Sequence, residues 1–222
     1  MRLTHFPYRR GRLCCESVAA EKIAEAVGTP VYVYSRAAIE RGFRRYHCAL
    51  ADHPHTICYS VKANSNLAIL RLLAGLGAGF DIVSGGELHR VLSAGGDPRG
   101  VVFSGVGKTV AEIDAALEAG ILLFNAESEE ELKLLARRAR AAGKKAPVAL
   151  RVNPDVDAGA HPYISTGLQR HKFGVPIARA EKLYRRAATL GSLDVAGVSC
   201  HIGSQILDIA PLLEALEKLL DL

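Results

Sequence analysis

The chain contains no tryptophan, and aromatic residues make up only 6% of its 222 positions. A surface that stacks nucleobases needs aromatic rings, so nucleic-acid binding is not expected despite a net charge of +5. The basic residues point the same way. Between Ser128 and Lys145, Glu129, Glu130 and Glu131 open the segment and Arg137, Arg138, Arg140, Lys144 and Lys145 close it, which is the order a helix dipole favours on a solvated face. No apolar run approaches the ~20 residues that cross a bilayer. Residues 1–15 carry Arg2, Arg9, Arg10 and Arg12 with no hydrophobic block behind them, so a cytoplasmic protein without a membrane partner is expected. Cysteines are few and odd in number: Cys14, Cys15, Cys48, Cys58 and Cys200 show no C-x-x-C spacing. Neither a disulfide framework nor a metal site is expected from them.

What is present is ample apolar content. At 49% hydrophobic and 23% charged residues, the chain can bury a core of ordinary size. An apolar-periodic helix over Val18–Val27 stops at Gly28-Thr29-Pro30, a short strand Val31–Tyr34 follows, and Arg36–Ala51 reads as a second helix. From Thr56 onward strands alternate with helices. Strands are expected near 56–62, 79–84, 101–104, 121–125, 147–152 and 195–201, with helices near 66–76, 86–94, 109–119, 128–142 and 178–190 and from Pro211. Such alternation means right-handed βαβ units and a parallel sheet.

A doubly wound sheet and a β/α barrel both satisfy this pattern, and the polar residues separate them. A doubly wound sheet concentrates its chemistry at one switch point, whereas a barrel spreads it over many carboxyl-terminal strand ends. Here the strand ends carry Lys62, Asp81, Ser104, Asn125, Arg151 with Asn153, and His201 with Ser204. That favours a (β/α)8 barrel, of which about six of the eight strands are counted.

Three glycine or acidic motifs fail on inspection. Gly105-Val106-Gly107-Lys108-Thr109 lacks the first glycine of a P-loop, because Val102 stands there. Gly75-Leu76-Gly77-Ala78-Gly79 lies between a helix and a strand, the reverse of the dinucleotide order. Asn153-Pro154-Asp155-Val156-Asp157 opens like a calcium loop, but Ala158 and Ile164 occupy its turn-glycine and bidentate-glutamate positions.

The remaining constellation is Lys62, Asp81 with Glu87, Arg151, and His201-Ile202-Gly203-Ser204-Gln205. A lysine at a strand exit sits where partial desolvation can favour its neutral, nucleophilic amine, the requirement of Schiff-base chemistry. In a barrel His201 shares a mouth with Lys62, where a flat imidazole can lie against a flat cofactor ring. Gly203 and Ser204 add backbone N–H groups and a hydroxyl suited to a phosphate.

Tyr59-Ser60-Val61-Lys62-Ala63-Asn64, Phe80–Leu88 and His201–Gln205 resemble the corresponding motifs of the fold type III, alanine-racemase-like decarboxylases that use pyridoxal 5′-phosphate (PLP). The stretch Arg151–Gly167, with Lys172-Phe173-Gly174 after it, resembles the diaminopimelate decarboxylases. The similarity runs in order and spacing from about Pro30 to the last residue. It implies that Lys62 carries PLP, that His201 stacks on its ring, that Gly203 and Ser204 help hold its phosphate, and that Asp81, Glu87 and Arg151 line its pocket. It also implies a homodimer that decarboxylates meso-2,6-diaminopimelate to L-lysine and CO2. Residues 1–35 are expected to pack with a carboxyl-terminal β domain and residues 36–222 to form a partial PLP-binding barrel. By the same resemblance, that β domain, a glycine-rich phosphate loop and the acidic partner of the pyridinium would follow Leu222, so a fragment inactive on its own is expected. Two alternatives stay open: an ornithine- or arginine-type decarboxylase of the same fold, and a non-enzymatic PLP-carrier protein made of a single barrel.

Overall fold

The computed structural model describes residues 5–156, 173–204 and 206–222. The chain opens with a small antiparallel sheet of β1 (Tyr8–Arg9), β2 (Arg12–Cys15) and β3 (Val18–Ala19). Arg10 and Gly11 form the turn between β1 and β2 with φ of 50° and 76°, the double left-handed geometry of a two-residue hairpin. Helix α1 (Ala20–Val27) follows. The first two residues of the expected helix therefore pair in β3 instead, because Cys14 and Cys15 on β2 offer them ladder partners. Val31–Tyr34 is not a strand. No described strand lies beside it, and Tyr32 is 90% exposed. The sheet is tied to the next helix, α2 (Arg36–Ala49), by Glu16, whose carboxylate accepts from Ser35 Oγ at 2.7 Å and Ala37 N at 2.9 Å.

The main sheet is parallel. Its strands run in the spatial order β10, β8, β7, β6, β5, β4, where β4 is Cys58–Ser60, β5 Gly79–Ile82, β6 Val101–Phe103, β7 Leu123–Ala126, β8 Ala146–Asn153 and β10 Leu193–Ser199. A two-residue strand, β9 (Val175–Pro176), pairs with the end of β8. The connecting helices are α3 (Leu67–Gly75), α4 (Gly85–Ser93), α5 (Val110–Ala119), α6 (Glu129–Ala141) and α7 (Ile177–Ala188), and α8 (Ala210–Leu220) follows β10. Six long-path strands in sequential neighbourhood are the count the alternating pattern predicts.

Strand periodicity of two decides what each face does. Val61, Phe80, Ile82, Val101, Phe103, Phe124, Val148, Leu150 and Val152 belong to the buried cluster with the helices. The strand residues of opposite parity, Ser60, Asp81, Asn125 and Arg151, therefore share the other face, and Lys62, Ser104 and Glu127 join them just past the strand ends. Phe103 and Phe124 are paired in register and stack with centroids 6.2 Å apart. One face of the sheet is thus cemented to its helices while the opposite face brings polar side chains together at the carboxyl ends.

Candidate active site

Each functional side chain is held by local chemistry. Beyond β4 the chain makes one tight turn, Val61–Ala63, with Val61 fully buried as its anchor. Tyr59 donates its hydroxyl to Asn64 O at 3.2 Å, Asn64 accepts from Asn66 N at 3.0 Å, and Asn66 caps α3 by accepting from Ala68 N at 2.9 Å. Lys62 therefore projects from a pinned turn. It is exposed, so the described residues do not supply the burial that its place at a strand exit suggested.

From Lys62 a polar layer crosses the sheet strand by strand. Asp81 accepts from Ser60 Oγ at 3.2 Å and from Ser104 Oγ at 2.5 Å, and Ser104 in turn accepts from Asn125 Nδ2 at 3.0 Å. Further along, Arg151 donates to Glu127 Oε1 at 3.0 Å and lies over the Phe173 ring, 5.4 Å from its centroid. The Arg151 and Glu127 side chains are 15% and 2% exposed. Gly174, which follows Phe173, has φ of 79°, and a Cβ there would sit 2.9 Å from Arg151 O. Only glycine lets this segment close over Arg151.

These groups line one cleft of about 560 Å³, together with Cys58, Cys200 and His201. His201 lies open to the cleft, yet its surroundings lower its pKa below the ordinary imidazole value. Desolvation is the first cause and the positive charges of Arg151 and Lys62 follow, opposed by Asp81 and Glu127. All four charged groups thus act on one ring. Burial raises the pKa of both thiols, Cys58 and Cys200, so neither is set up as a thiolate. A larger groove of about 700 Å³ runs between α2 and α3, lined by Tyr34, Arg36, Glu40 and Arg71 among others, but it gathers none of the strand-end groups.

Beneath the cleft, Lys108 is buried. Its ammonium donates to Gly105 O at 2.7 Å, Asn125 O at 2.8 Å and Glu131 Oε1 at 2.5 Å. The false P-loop is therefore a brace between the turn after β6 and the start of α6.

Of the residues expected at the site, Lys62, Asp81, Arg151 and His201 meet in the cleft. Glu87 lies elsewhere: as the third residue of α4 it accepts from Val83 N at 2.8 Å and serves the helix start. Gly203 and Ser204 follow His201 outside the cleft lining. Gly203 has φ of 151°, a backbone an L side chain rarely takes, and Ser204 is exposed. Gln205 and Asp157–Lys172, which carry part of the motif after Arg151, lie outside the described residues. The sequence reading passed over Ser60, Glu127 and Phe173 as site residues. For two of them a signal existed: Ser60 is two residues before Lys62 and Glu127 two after Asn125, the spacing that shares a strand face.

The fold agrees with the comparisons to known proteins. The family model described as the pyridoxal-binding domain of pyridoxal-dependent decarboxylases matches residues 36–222. The chain is 61% identical over 217 residues to the diaminopimelate decarboxylase of Pseudomonas aeruginosa, covering 98% of this chain and 52% of that protein. It is 55% identical over 221 residues to that of Vibrio cholerae, covering 99% and 53%. The crystal structure of diaminopimelate decarboxylase from M. jannaschii in co-complex with L-lysine superposes with a TM-score of 0.91 at 40% identity, over 97% of this chain and 52% of that one. The chain thus spans about half the length of the curated relatives it matches. With a parallel β/α sheet that gathers Lys62, Asp81, Arg151 and His201 at its carboxyl ends, and a family match that begins at α2 and runs to Leu222, the chain belongs to the pyridoxal-dependent decarboxylases.

Proposed function

We propose that a protein carrying this chain removes a carboxylate from an amino acid as CO2 with the help of PLP, its substrate being meso-2,6-diaminopimelate and its product L-lysine. The observation that carries this reading is the convergence of Lys62, Asp81, Arg151 and His201 on one cleft. The names of the relatives at 55–61% identity carry the substrate.

The residues fit the cofactor. The cleft has an amine on a rigid turn, an imidazole in its lining, and two buried side-chain oxygens, Asn125 Oδ1 and Glu127 Oε2, without a partner among the described residues. PLP, when bound, supplies the electron sink that lets the bond to the leaving carboxylate break. Lys62 would hold it covalently through its amine and accept or return a proton there. The lowered pKa of His201 keeps its ring uncharged at neutral pH, so it offers a flat neutral face rather than a second cation. Arg151, fixed by Glu127 and Phe173, is the standing positive charge of the site. Asp81 holds Ser60 and Ser104 in register across three strands. Gly203 and Ser204 would meet the phosphate from the loop after β10, and Glu87 would act on the pocket only through the start of α4.

We also place the protein in the cytoplasm as a homodimer. Among the described residues no helix is long and apolar enough to cross a membrane, and the exposed apolar side chains of α8 and β10 favour a covered surface.

Borohydride reduction of the PLP-loaded protein followed by peptide mapping tests the core of the reading. The pyridoxyl group should be found on Lys62, and Lys62→Ala should take up no reducible cofactor. A label on Lys108 or Lys172 would overturn the assignment. For the substrate, meso-diaminopimelate should release CO2 and L-lysine while ornithine and arginine release none.

A further inference from the structure

The floor of the cleft holds two oxygens whose need for a donor nothing in the described chain meets. Asn125 and Glu127 are 8% and 6% exposed, and both line the cleft. Their Oδ1 and Oε2 atoms are buried with no hydrogen-bond partner. Native proteins rarely leave such atoms unpaired without a ligand, ion or water to meet them.

The surrounding bonds fix which atoms these are. Ser104 has one hydroxyl proton, and it goes to Asp81 at 2.5 Å. Toward Asn125 at 3.0 Å the hydroxyl oxygen can therefore only accept, so the amide must turn its NH2 to Ser104 and leave Oδ1 free. Glu127 is fixed likewise. Its Oε1 takes the guanidinium proton of Arg151 at 3.0 Å, and Arg151 is itself held over Phe173. Turning the carboxylate to hide Oε2 would break that pair. Asn125 belongs to β7 and Glu127 is the first residue past its end, and both line the same cleft.

We propose that Asn125 and Glu127 form a subsite that binds a primary ammonium group of the amino acid entering this cleft, an inference that rests on the decarboxylase reading of the site. The chemistry selects this group. An ammonium carries three N–H donors, enough to serve both acceptors at once, and its charge complements the carboxylate. A carboxylate or phosphate would meet like charge and lone pairs. A hydroxyl has one proton and could satisfy only one of the two.

Glu127→Gln gives a selective test, because Arg151 demands an oxygen from residue 127. The amide oxygen stays with Arg151 and the NH2 is forced to where Oε2 was, so donor faces donor. On the PLP-loaded full chain, the Kd for L-lysine should rise about tenfold or more, the usual size of a lost bond to a charged group. The Kd for pimelate, a chain of seven carbons without amines, should not rise. Asn125→Ser, which removes the other acceptor and leaves the Arg151 pair alone, should also weaken L-lysine. Equal L-lysine affinity in wild type and both variants would overturn the subsite. So would an effect of Glu127→Gln on L-lysine affinity, measured without cofactor, that disappears in a Lys62→Ala background, since the donor would then be Lys62 and not the ligand. If wild type takes up no PLP, the decarboxylase reading fails separately. L-lysine titrated without cofactor then decides the subsite by the same comparison of wild type with the two variants.

Discussion

At the residue scale, Lys108 and His201 show opposite uses of charge. Lys108 and Glu131 have side chains 1% and 10% exposed, and every proton of the ammonium has an acceptor. Removing one member of such a buried pair strands the other, at a cost of about 3–5 kcal/mol. Lys108→Met should lower unfolding stability by that amount in urea titrations, and a loss under about 1 kcal/mol would show that the pair is solvated in solution. His201 carries a pKa below its ordinary value, through desolvation and then Arg151 and Lys62, with Asp81 and Glu127 opposing. A base whose folded pKa is depressed contributes stability that is complete above its ordinary pKa. That stability is lost as pH falls from there to the folded value. His201→Asn should therefore flatten the stability profile on the mildly acidic side, and an unchanged profile would contradict the depressed pKa. The residues most legible from sequence were those of unusual type at a strand end, Lys62, Asp81, Arg151 and His201. Glu127 was obscured by the acidic run behind it. Its spacing from Asn125 is the one linear mark that separates it from Glu129 and Glu130 on the helix surface.

At the element scale, one device recurs at the mouth. Ser84, Thr109 and Ser128 cap α4, α5 and α6 by accepting from the backbone N–H three residues on. That third residue is Glu87, Glu112 or Glu131, and each carboxylate returns to a backbone N–H: Val83, Thr109 and Glu127 respectively. Glu112 also accepts from Gly85 N at 2.8 Å, tying the start of α5 to that of α4. These bonds, Gly85 first and Thr109 next, lower its pKa. The stability it adds is therefore present at neutral pH and lost as pH falls through the depressed folded value, below the ordinary carboxylate range. Glu112→Ala should cost about 1–2 kcal/mol near pH 7, and the difference from wild type should shrink in strong acid. A constant difference at all pH values would mean that packing, not the bonded carboxylate, is lost. The capping residues explain why helix and strand positions from Thr56 onward were readable to within a residue or two. The amino-terminal hairpin was not, because its strands are too short for a pattern and its one signal is the Arg10-Gly11 turn. Val31–Tyr34 finds no ladder partner among the described residues, and β-prone residues form a strand only where one exists.

At the scale of the whole molecule, the sheet has two open sides. β4 pairs only with β5 and β10 only with β8, and among the described residues no strand lies beyond either. The contrast between β8 and β10 is physical rather than compositional. Both carry valines, yet β8 is almost wholly buried while β10 leaves Val195 39% and Val198 40% exposed, because among the described residues no element covers its inner face and outer edge. After it in the chain, α8 exposes Leu212, Leu213, Leu216 and Leu220 by 49–76%. Alternation of strands and helices could predict six strands in order, but not what meets the last of them, since closure depends on surfaces that periodicity does not name. An unpaired parallel edge and an exposed apolar helix face are each a template for association. The 222-residue chain should therefore self-associate, its mean mass by light scattering rising with concentration, and salt should not dissolve the assemblies as it would an ionic contact. Leu213→Glu with Leu216→Glu should shift the distribution toward monomer by placing like charges on the shared surface. A wild-type chain that stays monomeric at high concentration would show that α8 folds back over β10 in solution and shields the edge itself.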